Sequence, residues 1–184
     1  MNSTKKNLTL LDVQLARIYY PLLIDLAKHK HSLTYGELVS EAKNLHPHLD
    51  YVQNAFPLSI GRRLNAVWHF TEERELPDLT ALLINKGKGE EGSDSFDKNM
   101  RQKIYNYDWS NVDDNFDLYS DQLEKEITPV KRINEKEARS IMSMHYKENK
   151  NKYPDSIKKH RREIISLLME GIDVQEVFRT VTIV

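Results

Sequence analysis

The chain has 184 residues, with 27 Lys and Arg against 28 Asp and Glu, and no cysteine. The missing cysteines exclude disulfides, thiolate nucleophiles, iron–sulfur clusters and the common structural zinc sites. A formal net charge of -1 excludes a global basic field, so any nucleic-acid contact has to come from a local cluster of cations. Apolar residues make up 39%, enough to bury a core, and no apolar run reaches the roughly 20 residues that span a bilayer. No secretory signal pattern opens the chain, and the expected location is the cytoplasm, with no membrane association.

Leu11, Leu15, Ile18, Leu22 and Leu26 recur at helical spacing behind Thr9, predicting a capped helix over Leu10 to Lys30 that Pro21 kinks or splits. Leu33 sits where a short strand fits, and Thr34 with Glu37 has the spacing of a capping box for a helix to about Leu45. A third helix is expected from Pro57 through Arg74, on the apolar positions Leu58, Ile60, Leu64, Val67, Trp68 and Phe70. Leu79 to Ile84 is short, apolar and bounded by Pro77 and Gly87, which predicts a buried strand. Three glycines between Gly87 and Gly92 then require an irregular turn.

This order, helix, short strand, two helices, strand and glycine turn, is that of a winged helix over residues 8–96. Residues 97–133 read as an acidic connector carrying aromatic side chains. Residues 134–184 read as a helical module, with caps at Asn134, Asp155 and Asp173, a helix end at Gly171 and a β-prone tail from Thr180. The expected class is mainly α with a small β component.

Within the winged helix, Arg62, Arg63, Asn65 and His69 lie on the would-be recognition helix, and Lys86 and Lys88 on the wing. Such residues suit base edges and phosphates of double-stranded DNA. In the connector, Trp109 stands among Asp113, Asp114, Asp117 and Asp121. That composition suits a protein partner with a basic surface, as an immunity protein or small inhibitor would cover. The alternative, open above all for Trp109, is that the rings pack the stretch onto the core.

Other chemistry finds little footing. His46, His48 and Asp50 share a loop with Pro47 between the histidines, a poor frame for an ion, and no metal site is assigned. Gly87-Lys88-Gly89 lacks the spacing of a phosphate loop, and no cofactor is expected. Carboxylates gathered in one run make a metal-dependent nuclease the weakest of three readings. Lys158-Lys159-His160-Arg161-Arg162 is the densest basic cluster, read as the outer face of an amphipathic helix or, alternatively, as a second phosphate contact or a surface that pairs with the chain's own acidic segment.

Leu33-Thr34-Tyr35-Gly36-Glu37-Leu38, then Ile60-Gly61-Arg62-Arg63-Leu64, then Leu76-Pro77 before the strand, resembles the DNA-binding domain of alkylguanine-DNA alkyltransferases and alkyltransferase-like proteins. The likeness covers about Leu33 to Gly92. It implies a winged helix in which Tyr35 lies close to the DNA backbone and Gly61 opens the recognition helix. Leu58 stands where that family has its arginine finger, and Asp78-Leu79-Thr80 follows Pro77 where it has a reactive residue and His-Arg. No repair chemistry is implied, and the chain is expected to be a non-enzymatic binding protein.

Overall fold

A computed structural model describes residues 8–84, 95–112, 115–127 and 131–182. The chain forms two compact units, Met1–Ile127 and Thr128–Val184. Residues 97–127, expected as a connector, therefore belong to the first unit.

The first unit is built around α1 (Leu10–His29). Thr9 and Asp12 close a capping box at its start, satisfying two backbone donors that a helix N-terminus leaves open. Val13, Leu15, Ala16, Tyr19, Tyr20 and Leu23 face inward and are buried. Pro21 does not divide the helix. It sits on the exposed side, where solvent can satisfy the carbonyl that the missing N–H leaves free.

The chain continues through β1 (Leu33–Thr34) and α2 (Tyr35–Leu45), whose Thr34–Glu37 capping box forms as its spacing predicts. A short helix absent from the sequence reading, α3 (Asp50–Gln53), follows. The single helix expected from Pro57 to Arg74 is instead a 3-10 turn at Pro57–Ser59, then α4 (Ile60–Arg63) and α5 (Asn65–Glu73). The junction lies at Leu64, whose ψ of -5 opens the helical turn. The neighbouring residues Arg62 and Arg63 are both buried, as are Val67 and Phe70 on α5, and both short helices pack on α1.

The strand expected over Leu79–Ile84 shrinks to β2 (Leu83–Ile84). Leu79–Leu82 form a 3-10 turn because the Asp78 carboxylate accepts from the Thr80 amide at 2.9 Å and from its hydroxyl at 2.7 Å, holding the backbone curled. β2 runs parallel to β1, with Leu33 opposite Leu83 and Thr34 opposite Ile84. Among the described residues no strand returns beside β2, since the chain resumes as helix α6 (Ser95–Asn106).

After α6 come a 3-10 turn at Trp109–Asn111 and α7 (Phe116–Glu126). Phe116, Tyr119, Ser120 and Leu123 repeat at 3.6-residue spacing and are buried. Phe116 stacks on Tyr20 with centroids 4.2 Å apart and meets Phe70 edge-on at 5.1 Å. Aromatic pairs of this geometry add stabilisation beyond their buried area.

The second unit consists of α8 (Glu135–Asn149), α9 (Arg161–Met169) and α10 (Val174–Thr182). Asn134 and Glu137 cap α8 reciprocally. The helix expected from Asp155 begins as a 3-10 turn, Asp155–His160, and becomes α-helical only at Arg161. The β-prone tail is helical through Thr182, because Val177, Phe178 and Val181 share one face and bury it. Propensity gives way to packing here. Ala138, Ile157, Ile164, Ile165, Leu168 and Phe178 make the core.

Candidate functional site

The expected DNA-contacting arginines are inside the first unit. Arg62 is 8% exposed and Arg63 1%, and both converge on Asp12, which is fully buried. Arg62 Nη2 lies 3.0 Å from Asp12 Oδ2, and Arg63 Nη1 donates to Asp12 Oδ1 at 2.5 Å. Oδ2 also accepts from the Thr9 amide at 2.7 Å and the Thr9 hydroxyl at 2.9 Å. The capping box of α1 is thereby the anchor for two guanidinium groups, and burying them requires that carboxylate. The outward-facing role expected of Arg62 and Arg63 is corrected: they hold α4 to the start of α1.

Tyr19 lies close enough to feel this cluster. Burial pushes its phenol up to about 12, with the positive charge of Arg63 opposing the shift. His69 is buried at 4% exposure, its Nδ1 3.9 Å from Glu72 and its ring edge-on to Trp68 at 4.7 Å. It offers no donor to a ligand in solvent, which corrects its expected place on a recognition face. Asn65 and Tyr35 are half-buried, Tyr35 packing against the hydrophobic core. Lys86 and Lys88 lie outside the described residues, as do Asp113 and Asp114.

Trp109, open to a partner surface or to core packing, is 4% exposed and takes the second place. Its indole donates to the Ile104 carbonyl at 2.8 Å, so the ring fastens the segment after α6 into the core. Outside, α7 exposes Asp117, Asp121 and Glu126 with Leu118, Gln122 and a single cation, Lys125. Asp117 and Asp121 are exposed, and with half-buried Glu124 they form one edge of the helix. Arg17 of α1, not singled out by the sequence, reaches this edge. Its guanidinium donates to Asp121, sits 3.7 Å from Glu124 and donates to the Asp117 carbonyl at 3.4 Å. The hydrogen bond to Asp121 holds Arg17 above the ordinary arginine range, against the opposing effect of burial. One cation facing three carboxylates leaves the edge negative. Beside it stands Leu118, 62% exposed.

No side-chain cluster of the kind that holds a metal ion, three or more His, Cys, Asp or Glu, occurs among the described residues. No helix among them is long and apolar enough to cross a membrane. No family model, curated protein or solved structure matches the chain.

Proposed function

We propose that this chain is a non-enzymatic binding protein whose first unit docks a basic protein surface through α7, as an immunity protein or small inhibitor does. The observation that carries this reading is the pairing of an exposed apolar side chain, Leu118, with the acidic edge of Asp117, Asp121 and Glu124. Apolar anchors give an interface its lasting contact, whereas unneutralised carboxylates accelerate encounter with a basic partner.

A second reading, DNA contact by a winged helix, draws on the element order and on Gly61. This glycine is exposed within α4, and a Cβ there would meet nothing within 4 Å. A helical glycine costs about 1 kcal/mol relative to alanine, and nothing inside the fold requires one here. Close approach of a backbone or phosphate from outside would account for it. Against this reading, Arg62 and Arg63 are committed to Asp12, and α6 stands where the wing's return strand belongs.

The two readings separate experimentally. A partner captured from the native host should lose association rate at least tenfold, at low salt, with Asp117→Lys, and should dissociate faster with Leu118→Glu. Unchanged partner kinetics in both variants, together with saturable, salt-dependent binding of a DNA duplex that Gly61→Val abolishes, would replace the first reading with the second.

A further inference from the structure

The two units differ in charge. Residues 1–127 carry 15 Lys and Arg against 20 Asp and Glu, whereas residues 128–184 carry 12 against 8. Part of the surplus in the second unit gathers round a crevice. Its volume is about 370 Å³, and Ile157, Ile164 and Phe178 form its floor, with Met142 of α8 as a wall. The three floor residues are each 3% exposed or less, so the depth of the crevice is apolar.

Its mouth is cationic. Lys158 and Arg161, both exposed, line it with the half-buried Tyr146. Lys158 donates to Asp155 at 2.7 Å, and that bond, with Tyr146 adding to it, holds the ammonium above the ordinary lysine range. Arg161 makes no ion pair or hydrogen bond to any described side chain. Two cations against one carboxylate leave one positive charge over an apolar floor.

We infer that this crevice is a binding site for a small amphipathic anion, one carboxylate or sulfonate on an apolar body. The apolar body lies against Phe178 and Ile164, and the anionic head pairs with Arg161, whose planar fork donates to two oxygens at once. Size favours a small molecule over a peptide helix: about 370 Å³ is near the lower end of the roughly 300–1,000 Å³ of small-ligand pockets. Charge favours an anion over a neutral lipid. This site is independent of α7 and of any macromolecular partner there.

The test uses the full chain and two probes, decanoate below its micelle concentration and 1-anilinonaphthalene-8-sulfonate. Calorimetric titration is expected to show one saturable site for decanoate, and decanoate should displace the fluorescent sulfonate. Arg161→Gln should weaken both at least tenfold, and Ser143→Phe, which places a ring in the crevice from an exposed position, should abolish binding. Both variants are expected to keep the circular dichroism spectrum and unfolding midpoint of the parent. The inference is overturned if neither probe binds more tightly than about 1 mM. It is overturned equally if neutral 1-decanol binds as well as decanoate, if Arg161→Gln leaves affinity unchanged, or if only an acidic peptide binds.

Discussion

Arg63 reaches back 51 residues to place its guanidinium on Asp12, the residue that caps the first helix. The cluster is buried, so removing Asp12 strands two guanidinium charges in the core, whereas removing Arg63 leaves the carboxylate to Arg62 alone. Asp12→Ala is expected to destabilise the first unit by about 3–5 kcal/mol, and Arg63→Ala by less. A hydrophobic replacement of similar length, Arg63→Met, should cost less, because it removes the charge and keeps the volume, although Arg62 still needs the carboxylate. Urea unfolding of the three variants measures this. Equal stability of Arg63→Ala and the parent would mean that the guanidinium reaches solvent.

Tyr19 ties stability to alkaline pH. Its phenol ionises near 10 in the unfolded chain and at about 12 in the folded one. Between these values the folded state holds the proton more tightly, so the unfolded state binds fewer protons and stability falls as pH rises. The loss is complete above the folded value and is about 2–3 kcal/mol at most. Tyr19→Phe removes this component, so the stability gap between parent and variant should shift by about 1 kcal/mol from pH 9 to pH 11. A gap that does not change with pH would show that Tyr19 ionises normally.

Three helices end in the same way. Lys30, Glu75 and Gly171 follow α1, α5 and α9 with φ of 58, 54 and 85 degrees. In each, the next amide bonds back to the carbonyl five residues earlier, His31 to Leu26, Leu76 to Thr71 and Ile172 to Leu167. Only α9 uses glycine there. Lys30→Gly and Glu75→Gly should each raise stability, by up to about 1 kcal/mol, because a side chain in the left-handed region costs about 1–2 kcal/mol and the more flexible unfolded glycine returns part of it. Thermal unfolding reads the sign directly: a lower midpoint in both variants would refute the account.

Trp109→Ala is expected to cost about 3–5 kcal/mol, as a large buried ring does when truncated. Gly61→Ala should do the opposite, gaining about 0.5–1 kcal/mol, since the added methyl meets nothing inside the fold. Chemical denaturation of both gives a paired test of which positions serve the core.

What the sequence shows of this fold is what local chemistry decides. The capping pair Thr34–Glu37 starts its helix where its spacing predicts, Asn134 caps α8 as expected, and Gly171 ends α9. Long-range pairing is what escapes such reading. Arg62 and Arg63 look like surface cations until Asp12 is brought beside them, and nothing in the spacing of 50 residues announces it. Phe116, Tyr119, Ser120 and Leu123 are a different case. Their 3.6-residue period was legible, and it divides the acidic stretch into a buried aromatic face and an exposed acidic one. Composition alone merges the two faces, which is how Trp109 comes to be grouped with the aspartates.

The two-residue sheet bears on how the first unit folds. Leu33 and Leu83 pair across 50 residues of chain, and closing a loop of that length costs roughly 3–4 kcal/mol of entropy. A ladder of a few hydrogen bonds at about 1 kcal/mol each cannot offset that by itself. The pairing therefore forms late, after the intervening helices have gathered on the first helix and brought the ends together. It also opens first. Amide hydrogens at the β1–β2 pairing should exchange through a partial opening well below the free energy of global unfolding, while those of Leu15 to Leu23 exchange only when the whole unit unfolds.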